Sequence, residues 1–183
     1  YTEPAYLQQA VNFRNQKAYI LALSFKTPEA IDEFIKKYPD AEEVKEAKEQ
    51  FEKMLYEKTT AGKSFLSYKK YMDDYPNGTY FNQAKQNYEE RVLQFYFSKN
   101  TVEAYREFLK KYPSHPASDI IQDTLYRIST KDGTVDQFKN FIEEYSENRN
   151  LKDAWEQFYM LFTADATEEV YKLFLAYYPD YPQ

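Results

Sequence analysis

Few places in this 183-residue chain hold side chains of the kind that do chemistry. Ala61-Gly62-Lys63-Ser64 has the ending of a phosphate-binding loop, in which backbone N–H groups cradle phosphates and the lysine reaches the terminal ones. Such a loop also needs a glycine five residues before Gly62, where Glu57 stands, and a strand leading into it. A turn followed by a helix-capping Ser64 fits better. His115 is the only histidine, and it sits in a loop flanked by Pro113 and Pro116. No pattern supplies it with the base-orienting partner of a triad or with further zinc ligands. Carboxylate pairs at Asp73-Asp74 and Glu143-Glu144 could act as general acid and base. They fall near helix C-termini amid lysines, where solvated surface is the expected role. The absence of cysteine removes thiolate nucleophiles, disulfides and cysteine-ligated zinc together, and leaves the redox compartment open. Asn77-Gly78-Thr79 matches a glycosylation acceptor, but a turn is the expected reading. The chain is therefore expected not to be an enzyme: no catalytic, cofactor-binding or metal-binding residue is assigned, and no cofactor.

Composition narrows the partners. Charged residues make up 30% and the net charge is −6, with lysine interleaved among glutamate rather than gathered into a basic stripe. Nucleic acid is not an expected partner. The longest apolar stretch, Ala18 to Leu23, is far too short to span a membrane. Three glycines and eight prolines are too few turn residues for an all-β domain of this length. The 20 tyrosines and 14 phenylalanines demand an explanation, and the elements that carry them provide one.

Tyr38, Tyr75, Tyr112, Tyr145 and Tyr178 recur at intervals of 37, 37, 33 and 33, each followed by proline except Tyr145, which is followed by Ser146. Seven residues before them stand Ile31, Tyr68, Tyr105, Phe138 and Tyr171. Four before stand Phe34, Tyr71, Phe108, Phe141 and Phe174, and three before, Ile35, Met72, Leu109, Ile142 and Leu175. This is the apolar stripe of a helix. Eleven before, Thr27, Ser64, Thr101, Thr134 and Thr167 supply a hydroxyl suited to cap the first turn. Glu29, Glu103, Asp136 and Glu169 follow at the positive end of the helix dipole. Each short helix thus has a start, a stripe and a Tyr-Pro stop. Nine residues after each tyrosine lie Ala47, Ala84, Ile121 and Ala154; thirteen after, Phe51, Tyr88, Leu125 and Phe158; seventeen after, Leu55, Val92, Ser129 and Phe162. A second, longer helix with a buried face is expected there. Residues 4–23 read as one more helix of that kind.

The pattern resembles the tetratricopeptide repeat over essentially the whole chain. Trp155, Phe158 and Phe162 fall at the Trp, Leu and Tyr spacing of that family's first helix. Thr167, Tyr171 and Pro179 fall at the Ala, Phe and Pro spacing of its second. The chain departs from the family where Glu52, Glu89, Tyr126 and Tyr159 replace its small residue, and where Thr or Ser replaces its Ala, which bears on the helix crossing angles. The resemblance implies an all-α, right-handed α-solenoid of antiparallel helix pairs forming a single domain over 1–183. It also implies that the first helix of each pair lines a concave face, where Gln83, Gln86, Glu90, Asp123, Arg127, Glu156 and Met160 would be exposed. The phrases Phe34-Ile35-Lys36-Lys37-Tyr38-Pro39 and Phe108-Leu109-Lys110-Lys111-Tyr112-Pro113 are similar to those of outer-membrane-assembly lipoproteins and the periplasmic cell-division coordinator family.

The function expected on these grounds is a non-catalytic scaffold or adaptor that binds a protein or peptide on that concave face. A structural spacer or oligomerisation segment of a larger protein is the alternative. The chain opens at Tyr1 without an initiator methionine and is expected to be an excised segment. The bacterial cell envelope is the expected location, with the cytoplasm as the alternative.

Overall fold

A computed structural model of the chain describes residues 3–182. Tyr1, Thr2 and Gln183, on which the expected domain boundaries fall, lie outside the described residues. Ten helices and no strand make up the secondary structure of the described residues. Five are long: α1 (Glu3–Ser24), α3 (Val44–Thr59), α5 (Phe81–Lys99), α7 (Ser118–Ser129) and α9 (Leu151–Phe162). They alternate with five short ones: α2 (Pro28–Lys37), α4 (Phe65–Asp74), α6 (Val102–Lys111), α8 (Val135–Glu144) and α10 (Glu168–Tyr177).

Every short helix is bounded by the same chemistry. The hydroxyls of Thr27, Ser64, Thr101, Thr134 and Thr167 accept from the backbone N–H groups of Ala30, Ser67, Ala104, Gln137 and Val170. Each such cap contributes about 1 kcal/mol. At Ser64 the cap is reciprocal, since the Ser67 hydroxyl accepts from the Ser64 N–H at 3.1 Å. At the other end, Tyr38, Tyr75, Tyr112, Tyr145 and Tyr178 leave helical geometry, with φ between −132° and −127°. Each still donates its N–H to the carbonyl four residues back, at 2.8–2.9 Å. Proline at the next position cannot prolong the helix. The tyrosine carbonyl then accepts from Ala41, Gly78, His115, Asn148 and Tyr181 at 2.9–3.1 Å, closing one turn that at the first four leads into the next long helix. Ser146 in place of proline leaves this turn unchanged, so the hydrogen bonds rather than the ring define it.

The reverse connection carries a second repeated device. Lys26, Lys63, Asn100, Gly133 and Ala166, each just before a capping hydroxyl, have φ between 47° and 63°. Four of the five are not glycine, and for them the left-handed conformation costs about 1–2 kcal/mol. Thr60, Thr130 and Thr163 cap the preceding long helices, donating both N–H and hydroxyl to the carbonyls of Tyr56, Tyr126 and Tyr159.

The contacts divide the chain into two compact units, Tyr1–Val92 and Leu93–Gln183. In the first, Ile31, Phe34 and Ala47 are buried with Tyr19 and Ala22, and Val44, Phe51 and Met54 pack around them. A second set of rings joins Tyr56 to Tyr71 edge-on at 5.1 Å and to Tyr80 in a stack at 5.0 Å. In the second unit, fully buried Phe108 meets Tyr96, Tyr112 and His115 at 5.0–5.5 Å. Phe138, Phe141, Ile142, Ala154, Phe158 and Phe174 form its other cluster, flanked by Trp155 and Tyr181. Each well-oriented ring pair adds about 0.5–1.5 kcal/mol beyond burial. The alanines at 47, 84 and 154 are fully buried, as close helix approach requires.

Candidate interaction surface

The register that buries one face of each long helix turns another outward. Eleven and fifteen residues after the capping tyrosine, an i, i+4 pair shares that outer ridge. Gln86 and Glu90 hold it on α5, Asp123 and Arg127 on α7, Glu156 and Met160 on α9, and Gln83 lies one turn before Gln86. All seven are exposed. Gln83, Gln86 and Glu90 belong to the first unit, and the other four to the second.

Side-chain pairing distinguishes them. The Asp123 carboxylate accepts from Asn150 at 2.9 Å and pairs with Arg149 at 3.6 Å, so it helps anchor the loop before α9. Arg149 also meets Asp119 at 3.1 Å, and the Gln122 side chain accepts the Arg149 N–H at 2.8 Å. Glu156 makes an exposed pair with Lys152 at 3.7 Å. Such pairs contribute little to stability and are available to a partner. Arg127 lies close enough to Tyr105 to oppose the upward pull of burial on that phenol's pKa. Met160 presents an exposed, adaptable apolar side chain.

Three of the residues that replace the expected small side chain, Glu52, Tyr126 and Tyr159, reach partners well beyond their own helices. The Glu52 carboxylate accepts from the Thr79 N–H and hydroxyl, just ahead of α5. Tyr126 donates to Asp153 at the start of α9. Burial, and then that carboxylate, push the Tyr126 pKa upward. Tyr159 stacks on Tyr181 at 5.1 Å. None of these pairings is visible in a single repeat, because the partners lie 22–27 residues apart.

Beside the ridge on α7, a groove of about 300 Å³ opens between α6, α7 and the end of α8. Leu109, Leu125 and Tyr145 line it along with Gln122, Glu144 and Asn148. An apolar floor with a polar rim suits a side chain of an extended peptide.

The remaining chemistry-bearing residues have structural partners. His115 accepts the Ala117 N–H on Nδ1 at 3.0 Å while its ring packs on Phe108. Lys63 and Ser64 form the turn and cap already described. Asp73 and Asp74 pair with Lys69 and Lys70 at 2.9 and 2.6 Å, and Glu143 and Glu144 with Lys139 and Arg106 at 3.9 and 3.5 Å. Among the described residues, no three His, Asp or Glu side chains come together as a metal site, and no helix is long and apolar enough to cross a membrane. No known protein-family model matches the chain, and comparison with curated proteins finds no match.

Proposed function

We propose that this chain is a non-catalytic interaction module whose helix pairs stack as a tetratricopeptide-like, right-handed α-solenoid. Its partner is a protein or peptide bound on a concave face lined by the exposed ridges of the long helices. The observation that carries this reading is the division of labour within the repeat. Caps, stops and core positions recur almost without change, while the ridge positions are exposed and differ in every repeat: Gln86 and Glu90, then Asp123 and Arg127, then Glu156 and Met160. A uniform scaffold with a variable exposed line is how repeat arrays obtain specificity. The resemblance of the Tyr-Pro phrases supports a bacterial envelope setting.

The test is capture of a partner from the envelope fraction, with Glu90→Lys and Arg127→Glu as variants. Each reversal should weaken capture while shifting the melting temperature by no more than about 2 °C, because exposed charges contribute little to folding. Capture that survives both reversals would place the binding surface elsewhere.

A further inference from the structure

Tyr38, Tyr75, Tyr112 and Tyr178 precede proline, whereas Tyr145 precedes Ser146. Proline has no N–H, so this exchange adds a donor to the turn. Among the described residues, neither the Ser146 N–H nor its hydroxyl has a hydrogen-bond partner. Ser146 is exposed and lines the groove of about 300 Å³ that Leu109, Leu125 and Tyr145 floor.

The corresponding groove one repeat later shows what the exchange changes. Ile142, Phe158 and Tyr178 stand there at the positions of Leu109, Leu125 and Tyr145, with Trp155 and Pro179 at those of Gln122 and Ser146. The later groove is therefore apolar at both places where the earlier one carries a donor. The Gln122 Oε1 accepts the Arg149 N–H at 2.8 Å, and its Nε2 has no partner among the described residues. Donors above an apolar floor suit a carbonyl acceptor beside an apolar side chain. A free carboxylate suits the groove poorly, because both charged side chains that line it, Glu144 and Glu147, are acidic. Glu144 pairs with Arg106 at 3.5 Å, whereas Glu147 makes no ion pair among the described residues. That exposed carboxylate favours a cation next to the apolar group.

We propose that this groove binds a short peptide segment in which phenylalanine or leucine is flanked by lysine or arginine. The apolar side chain covers Leu109, Leu125 and Tyr145, a peptide carbonyl accepts from the Ser146 N–H, and the flanking cation pairs with Glu147. The assignment rests on the reading that the partner is a protein or peptide, and names the residues of it that this groove selects.

Proton–nitrogen correlation spectra of the intact chain test this during titration with three N-acetylated, C-amidated tripeptides: Lys-Phe-Lys, Glu-Phe-Glu and Lys-Ala-Lys. Lys-Phe-Lys should shift the signals of Ser146, Tyr145, Leu125 and the Gln122 side-chain amide to saturation, and the other two should bind more weakly. Ser146→Pro should weaken Lys-Phe-Lys about three- to tenfold, the effect of one hydrogen bond. Its circular dichroism spectrum should be unchanged, because Pro76 and Pro113 occupy the same position in other repeats. Ser146→Ala keeps the N–H and should bind more tightly than Ser146→Pro. Glu147→Lys should weaken Lys-Phe-Lys and strengthen Glu-Phe-Glu. The proposal is overturned by the absence of saturable shifts in the groove, by Ser146→Pro binding as tightly as the natural chain, or by a preference of the natural chain for Glu-Phe-Glu. The tripeptides need no captured partner, and Glu90→Lys and Arg127→Glu should leave their binding unchanged, so the groove and the ridge can fail separately.

Discussion

The hydroxyl of Tyr71 occupies the space that a side chain at residue 78 would fill: a Cβ placed on Gly78 would lie 2.7 Å from the Tyr71 oxygen. Tyr71 is the one tyrosine at a position held elsewhere by Phe34, Phe108, Phe141 and Phe174, and Gly78 is the one glycine where Ala41, His115, Asn148 and Tyr181 stand. The exchange also preserves a hydrogen bond. His115 and Asn148 accept the N–H two residues on, from Ala117 and Asn150, at 3.0 and 2.9 Å. Gly78 cannot do so, and the Tyr80 N–H bonds to Tyr71 instead.

Gly78→Ala should therefore destabilise the chain by about 1–3 kcal/mol through overpacking. Tyr71→Phe should remove most of that penalty, and the pair Tyr71→Phe with Gly78→Asn should approach the stability of the natural chain by restoring the Phe141–Asn148 arrangement. Urea unfolding of the natural chain, Gly78→Ala, Tyr71→Phe and the pair Tyr71→Phe with Gly78→Ala as a double-mutant cycle measures the coupling. Additive effects would show that the two positions do not compete for one space.

Phe108→Ala should cost roughly 3–5 kcal/mol, from lost transfer energy and the cavity left among Tyr96, Tyr112 and His115. Because repeats lean chiefly on their neighbours, the loss is expected to separate unfolding into two transitions. Differential scanning calorimetry reads both quantities. A loss below about 1 kcal/mol would mean the stripe is out of phase.

The left-handed residues before each cap give a cleaner backbone test. No atom lies within 4 Å of a Cβ built on Gly133, so Gly133→Ala should cost about 1 kcal/mol from backbone geometry alone. Ala166, with φ 50°, should respond in the opposite direction, with Ala166→Gly neutral or stabilising by a few tenths of a kcal/mol. Chemical denaturation of both variants checks the signs. Equal signs would contradict the account.

Alkaline pH should unfold the protein through its phenols. Burial pushes the pKa values of Tyr56, Tyr71, Tyr96, Tyr105, Tyr126 and Tyr145 above 10.0, and burial with Glu46 pushes Tyr19 to about 12. A raised folded-state pKa means that the folded form keeps protons which the unfolded form releases. The corresponding stability is complete below pH 10 and falls progressively as pH rises from there, through about 12 for Tyr19. The tyrosinate absorbance of these seven phenols should rise late, together with loss of helical circular dichroism. Titration of those seven phenols near pH 10 in a chain that stays folded would contradict it.

The caps, the stripe and the Tyr-Pro stop were legible in the sequence because each acts within one turn of helix, at a fixed offset from a residue of recognisable type. The left-handed position was not, since Lys26, Lys63, Asn100 and Ala166 share no side-chain chemistry and only Gly133 signals it. Tyr171 and Leu175 have the identities of core residues and yet are 37% and 54% exposed, which the stripe pattern alone does not distinguish. The ridge positions came from the resemblance to the tetratricopeptide repeat, and all seven are exposed. The anchoring of Asp123 by Asn150 and Arg149 depends on a loop 26 and 27 residues away and could not be read from α7.

The central claim is that the ridges of the long helices form the binding surface, and site-specific photo-crosslinking tests it most directly. A photoreactive residue placed at Arg127 or Met160 should join covalently to the captured partner, while the same residue at exposed Lys110 on the short helix α6 should not. Equal crosslinking from all three positions, or crosslinking from Lys110 alone, would contradict the account.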